Sequence, residues 1–282
     1  MSLWHLTLAS MDRQVLFPDE TALRRALRSM VRVLCERLLL FAIVDDHLHC
    51  VLKDENPGQR GRALRLSLRP LCASAPDKAR FRPVKDRQHL LALVRYVLDQ
   101  ERHHGIVSAP ALSSGSCAAD LLGYRRLPGL DLQLWTALPR FQPASVAALV
   151  NLHPRDLDPL KLEEVRGLSP RQILDAAAFV TGADTGLGSR TEEAARARLG
   201  ALHLGMKAGF SGSELANAMS LSRQGLWGAA RRSPDPMDLQ AILRRLAVEE
   251  SVHRRSLSTS KTISPRPMLP KESPMGSARS LR

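Results

Sequence analysis

The stretch LLLFAIVDDHLHCVLK, residues 38–53, holds two short strand-like runs, 39–44 and 48–53, around Asp45-Asp46. Runs of this length, rich in Leu, Ile and Val and broken by a pair of acids, predict two strands joined in a hairpin. On a strand, residues two apart share a face, so His47 and His49 present their imidazoles side by side. Working outward, 3–8 reads as another strand, with Trp4, Leu6 and Leu8 on one face and His5 and Thr7 on the other. Asp19 is a helix N-cap, after which Leu23, Leu27, Met30, Val31 and Leu34 recur at helical spacing. Residues 62–71 read as a second helix, with Arg62, Arg65 and Arg69 on one face and Leu64, Leu68 and Leu71 on another. A fourth strand over 81–84 contains Pro83, which confines it to a sheet edge. Asp86 caps a third helix running to about His103 and stopped by Gly105. The order predicts an α+β fold: a ferredoxin-like antiparallel sheet with helices over residues 1–109.

Beyond residue 110 the texture changes. Pro110, Gly115, Gly123, Pro128, Gly129, Pro139 and Pro143 punctuate 110–143, which predicts a linker. Residues 144–250 are patterned as helices and predict an all-α C-terminal domain, with Ser169-Pro170 as one clear helix start. Within it GFSGSELANAMSLSRQGLWGAARR, 209–232, fits a helix-turn-helix over about 211–232. Ser222, Arg223 and Gln224 open its second helix, where side chains would reach bases or phosphates, and Arg231 and Arg232 add charge. Ser220 stands where the turn often has glycine, and Gly225 and Gly228 weaken the second helix. The last 32 residues, 251–282, hold eight serines, four prolines and seven basic residues against one acid, and predict a disordered basic tail.

The chain has 282 residues and a net charge of +13, which favours a polyanionic partner. Four cysteines without a C-x-x-C pair fit neither a disulfide framework nor a zinc ribbon, and suit a reducing cytoplasm. No apolar run is long enough to span a bilayer, and the N-terminus has no secretory pattern, so no membrane role is expected.

The second chemical constellation lies on RQHLLALVRYVLDQERHHG, 87–105. Leu90, Leu91, Val94, Val97 and Leu98 form the stripe that predicts burial, while His89, Ala92, Tyr96 and Gln100 share another face. Tyr96 thus points off the core, with an amide one helical turn along. His103-His104, His153 and His203 have no partner at ligand spacing.

Taken together, these segments resemble the HUH single-tyrosine transposases, in particular the REP-associated tyrosine transposase branch. The resemblance covers about residues 3–107. It rests on Trp4-His5-Leu6-Thr7, Leu16-Phe17-Pro18-Asp19, the strand pair with His47-Leu48-His49, and Tyr96-x-x-x-Gln100 followed by His104-Gly105-Ile106-Val107. The 209–232 segment resembles helix-turn-helix modules fused to some transposases.

The family resemblance implies cleavage and strand transfer of single-stranded DNA at hairpin-associated sites. Tyr96 would be the nucleophile that forms a 5′-phosphotyrosine. His47, His49 and Gln100 would hold a divalent cation, Mg²⁺ or Mn²⁺. Arg62, Arg65, Arg69, Ser222, Arg223, Gln224, Arg231 and Arg232 are expected to contact DNA, single-stranded and also duplex. A homodimer and a cytoplasmic, nucleoid-associated location complete the expectation. Two departures accompany it. Asp45 and Asp46 stand where the family has Pro and Asn, and the stretch between His49 and Tyr96 is short. The rival expectation is a catalytically silent, domesticated DNA-binding regulator.

Overall fold

The computed structural model describes residues 2–105, 109–184 and 187–261. Four strands, β1 (Ser2–Ala9), β2 (Leu38–Ile43), β3 (His47–Asp54) and β4 (Arg80–Pro83), form an antiparallel sheet in the order β2-β3-β1-β4. Helix α1 (Glu20–Leu34) connects β1 to β2, and α2 (Pro57–Leu68) connects β3 to β4. After β4 come α3 (Arg87–Leu98) and the single turn α4 (Gln100–His103), separated by Asp99. The architecture is α+β, as the sequence predicts, and β4 takes the edge to which Pro83 confines it.

Strand alternation separates two faces. Leu6 and Leu8 of β1 are fully buried, and Cys50 of β3 points to α1, its Sγ 3.4 Å from Met30 Sδ. His49, one residue from Cys50, projects to the opposite side and meets α3. Asp19 and Asp86 cap α1 and α3, each carboxylate accepting a hydrogen bond from a backbone N–H three residues on, at 2.8 and 2.7 Å. Helix α2 starts at Pro57, five residues before the sequence pattern suggests, because proline at the first turn needs no N–H partner. Its Gly61 permits the close approach of β4: a Cβ there would lie 2.4 Å from Phe81 Cζ.

The sequence texture predicts a linker over 110–143, but much of this stretch packs into the first core. Ala111, Cys117, Ala118, Tyr124, Leu134 and Leu138 are all fully buried in the cluster built on the sheet. Buried side chains satisfy the irregular backbone. Arg125 donates to the Ser114 and Ser116 carbonyls, each at 2.6 Å, and pairs with Asp120. The Tyr124 hydroxyl donates to Ala111 O at 2.6 Å.

Gly115 sits where this segment crosses β2, its carbonyl accepting from Ile43 N at 2.9 Å. A Cβ on Gly115 would lie 2.0 Å from the Ile43 carbonyl oxygen, a backbone atom that cannot swing away. Gly115→Ala is expected to destabilise the fold by about 3 kcal/mol, at the upper end for overpacking. Chemical denaturation checks it; an unchanged midpoint would contradict the packing described.

The remaining helices are α5 (Ala118–Leu121), α6 (Leu134–Ala137), α7 (Pro143–Leu149), α8 (Leu162–Val165), α9 (Pro170–Thr181), α10 (Glu192–Ala208), α11 (Gly212–Ala218), α12 (Arg223–Ala230) and α13 (Pro236–Lys261). A second apolar cluster, rich in alanine, joins α8 to α13. Phe179 of α9 and Val248 of α13 belong instead to the first cluster, so these two helices bridge both. Arg245 of α13 stacks 3.7 Å from the Phe179 ring centroid and donates to Ala111 O and Leu112 O, both at 3.3 Å. Arg24 of α1 likewise donates to Ala183 O at 2.8 Å.

The tail expected from residue 251 departs from the structure at its start, because α13 continues through Lys261. Residues 262–282, and Ile106-Val107 of the resemblance, lie outside the described residues. None of the described helices is long and apolar enough to cross a membrane.

Candidate active site

The sheet face opposite α1 carries His5 and Thr7 from β1 and His47 and His49 from β3, in a register that sets Thr7 against His49. Helix α3 covers part of it. Its buried side, Leu90, Leu93, Val94, Val97 and Leu98, packs down and leaves Tyr96 46% exposed. Leu93 joins this stripe, whereas Leu91 is only partly buried. One turn on, Gln100 is almost wholly buried.

Tyr96, His47, His49 and Gln100 meet at one place. Tyr96 Oη lies 3.3 Å from His49 Nε2, and Gln100 Oε1 lies 3.3 Å from His47 Nε2. The His47 and His49 ring centroids are 4.7 Å apart, with the rings nearly perpendicular. Gln100 donates from Nε2 to the Tyr96 carbonyl at 3.1 Å, which aims its Oε1 at His47. The short connection between His49 and Tyr96 therefore spans the distance.

Each imidazole has a partner behind it. His47 Nδ1 lies 2.5 Å from Asp46 Oδ1, and His49 Nδ1 lies 3.0 Å from His5 Nε2 and 3.2 Å from Thr7 Oγ1. A neutral His47 that donates to Asp46 turns its Nε2 lone pair toward the Gln100 oxygen. Two acceptors face to face require a second proton or a cation between them. With His49 Nε2 alongside, the donor set is two imidazole nitrogens and an amide oxygen, which fits a divalent cation of borderline softness. A carboxylate behind a ligating histidine is the usual outer partner of such a site.

His104, without a partner by sequence spacing, folds back beside His47 with ring centroids 4.8 Å apart. Asp45, Asp46 and His104 bring their ligand atoms within 4.8 Å of one another, so Asp46 adjoins a second set of donors. His104 is the C-cap of α4 and reaches His47 through the tertiary placement of that helix on the sheet, which no periodicity reveals.

Burial sets the electrostatics. It lowers His49 to about 3, helped by the charges of His47, His5 and His104, and lowers His5 to about 4, helped by Arg82. These two rings stay neutral at pH 7, and the stability they lend above about pH 6.5 is lost as pH falls toward those values. Glu101, next to Gln100, goes the other way. Burial raises it to about 7 against the opposing Ser113 hydrogen bond and Arg125 charge, and its Oε2 has no partner among the described residues. A raised carboxyl stabilises the fold below its unfolded value near 4.5, and that contribution disappears as pH rises through 7. Glu101→Gln is therefore expected to gain on wild type in denaturation midpoint between pH 5 and pH 7.5. A constant difference between the two proteins over that range would contradict the assignment.

The cations near Tyr96 are not those the sequence favours. A cavity of about 470 Å³ beside it is lined by Arg95, Tyr96, Asp99, Gln100, Arg102, His103 and Leu149. Arg62, Arg65 and Arg69 belong instead to α2 and the turn after it, in the layer beyond the sheet from Tyr96. The α11–α12 pair forms as expected, with Ser220 at φ +52 in the turn where glycine is common. Ser222 is the N-cap of α12: its Oγ accepts from Gly225 N at 3.1 Å. Gln224, Arg231 and Arg232 are exposed.

No protein-family profile matches the chain, and no curated protein does. Among solved structures it is similar to a REP-associated tyrosine transposase bound to a REP hairpin. The identity is 15% and the TM-score 0.35, over 41% of this chain and 76% of that one. The chemistry of the site rests on its own side chains.

Proposed function

We propose that this chain cleaves single-stranded DNA and transfers strands through Tyr96, as an HUH transposase-like enzyme on a ferredoxin-like β-α-β-β-α-β frame. The observation that carries the proposal is Tyr96 Oη at 3.3 Å from His49 Nε2, on the face shared by His47 and Gln100. His47, His49 and Gln100 would hold Mg²⁺ or Mn²⁺. When bound, the ion stabilises charge that develops on the scissile phosphate.

Tyr96 Oη attacks phosphorus and releases its proton to water. The bond from phosphorus to the 3′ oxygen breaks, and the departing oxygen takes a proton to become a free 3′-hydroxyl. The new tyrosine ester retains the energy of the phosphodiester, so rejoining needs no nucleotide cofactor. Tyr96 meets histidines of its own chain, which supports action in cis.

DNA contacts fall to two regions. Arg95 and Arg102 line the cavity beside Tyr96 and suit the backbone of a single strand. Residues 144–250 add the α11–α12 pair, whose Arg223, Gln224, Arg231 and Arg232 would address duplex DNA as a helix-turn-helix.

The test is incubation of hairpin-bearing single-stranded DNA with the protein and Mn²⁺, followed by a denaturing gel. DNA labelled at its 3′ end should become protein-linked, and DNA labelled at its 5′ end should be released as a shorter strand. Binding of either label without any covalent species would instead establish the silent regulator.

A further inference from the structure

His5 stands two residues from Thr7 on β1, so His5, Thr7 and His49 project from one face of the sheet. His5 Nε2 lies 3.0 Å from His49 Nδ1, and Thr7 Oγ1 lies 3.2 Å from the same nitrogen. On the far side of the ring, His49 Nε2 faces Tyr96 Oη at 3.3 Å. His49 is only 4% exposed, so water does not compete for these contacts.

Two ring nitrogens at 3.0 Å form a hydrogen bond only when one carries a proton and the other a lone pair. If the proton sat on His49 Nε2, then His49 Nδ1 would have to accept from His5, and no lone pair would face Tyr96 or the space beside His47. The free histidine side chain in water carries its proton mostly on Nε2, so the opposite arrangement needs a partner at Nδ1 to hold it.

We infer that His5 is a positioning residue: it accepts a hydrogen bond from His49 Nδ1–H and thereby fixes the tautomer that turns the His49 Nε2 lone pair toward Tyr96 and Gln100. His5 itself then carries its proton on Nδ1. Thr7 Oγ1 is a second, longer acceptor for the same N–H. Asp46 does the equivalent work for His47 at 2.5 Å. The two imidazoles are thus aimed by different groups, a carboxylate near the turn and a neutral ring deeper on the sheet. An uncharged group at the second position orients His49 without adding another negative charge near a phosphate.

The choice of tautomer rests on the proposed site, which needs the His49 Nε2 lone pair, and the experiment reads the tautomer separately from cation affinity. Long-range ¹H–¹⁵N correlation spectra of the full chain, free of metal at pH 7.5, report which nitrogen of His49 is protonated, with His49→Gln to assign its signals. Wild type is expected to show His49 as the Nδ1–H form. His5→Phe keeps a ring but offers no nitrogen, and should move His49 toward Nε2–H, more completely in the His5→Phe/Thr7→Val double variant. His5→Gln supplies an amide oxygen as acceptor and should restore Nδ1–H. Where phenylalanine perturbs the sheet, His5→Ala gives the same readout. Mn²⁺ titration should follow the tautomer, weakening about 10-fold or more in His5→Phe and recovering in His5→Gln.

An Nε2–H tautomer in wild type, or an unchanged tautomer in the double variant, overturns the inference. If the tautomer responds as expected while wild type binds no Mn²⁺, the positioning role stands and the metal reading falls.

Discussion

Tyr96→Phe is expected to remove the covalent protein–DNA species while leaving the protein folded and able to bind DNA. Loss of a covalent nucleophile should lower cleavage by about 10⁴-fold or more. The ring stays in place, because phenylalanine keeps its edge-to-face packing, with a centroid 5.1 Å from that of His49. What disappears is one half-exposed hydrogen bond of 3.3 Å. Its net worth to stability is about 0.5–1.5 kcal/mol at most. The other tyrosine cannot substitute, since Tyr124 is fully buried with its hydroxyl given to Ala111 O. An adduct of undiminished yield in Tyr96→Phe, measured on 3′-labelled DNA, would remove Tyr96 from the mechanism.

Local pattern made much of the first hundred residues legible. Period-two alternation assigns the faces of β1 and β3, and Asp19 and Asp86 mark the helix starts with their own carboxylates. The same alternation puts His47 and His49 on one face, and helical spacing puts Tyr96 beside Gln100. Register is what local pattern leaves out. That His5 approaches His49 depends on how β1 pairs with β3, and this is settled by packing across 44 residues.

The stretch 110–143 misleads for a related reason. Proline and glycine report that a backbone is irregular, which is commonly read as exposed. Here its carbonyls are satisfied from a distance: Arg245 reaches Ala111 and Leu112 across more than 130 residues. Arg125 serves Ser114 and Ser116 from nearby. A buried arginine looks like any surface cation in sequence, so nothing local distinguishes the two. The basic face of α2 illustrates the converse. Arg62, Arg65 and Arg69 are aligned as their spacing requires, yet the sheet stands between them and Tyr96.

Replacing His47 and His49 together by alanine should abolish both divalent-cation binding at this site and cleavage. Loss of a single outer partner typically costs 10–100-fold in metal affinity, so removing two of the three ligands should exceed about 10²-fold. Structural damage is limited on the His47 side, which lies near the open end of the sheet, and greater at His49, whose ring is buried among His5, Thr7 and Tyr96. His49→Gln, which keeps volume and an oxygen, therefore accompanies the double variant as a control for folding. Asp46 discriminates further between the two donor sets. If the cation sits on His47, His49 and Gln100, Asp46→Asn weakens binding only through His47, by about 10-fold. If it sits instead among Asp45, Asp46 and His104, Asp46→Asn removes a charged ligand, and the His47/His49 double variant keeps most of its affinity. Calorimetric Mn²⁺ titration of the three variants reads this out directly. Cleavage that persists in excess chelator, or in the double variant, would show that the phosphate is activated without these imidazoles.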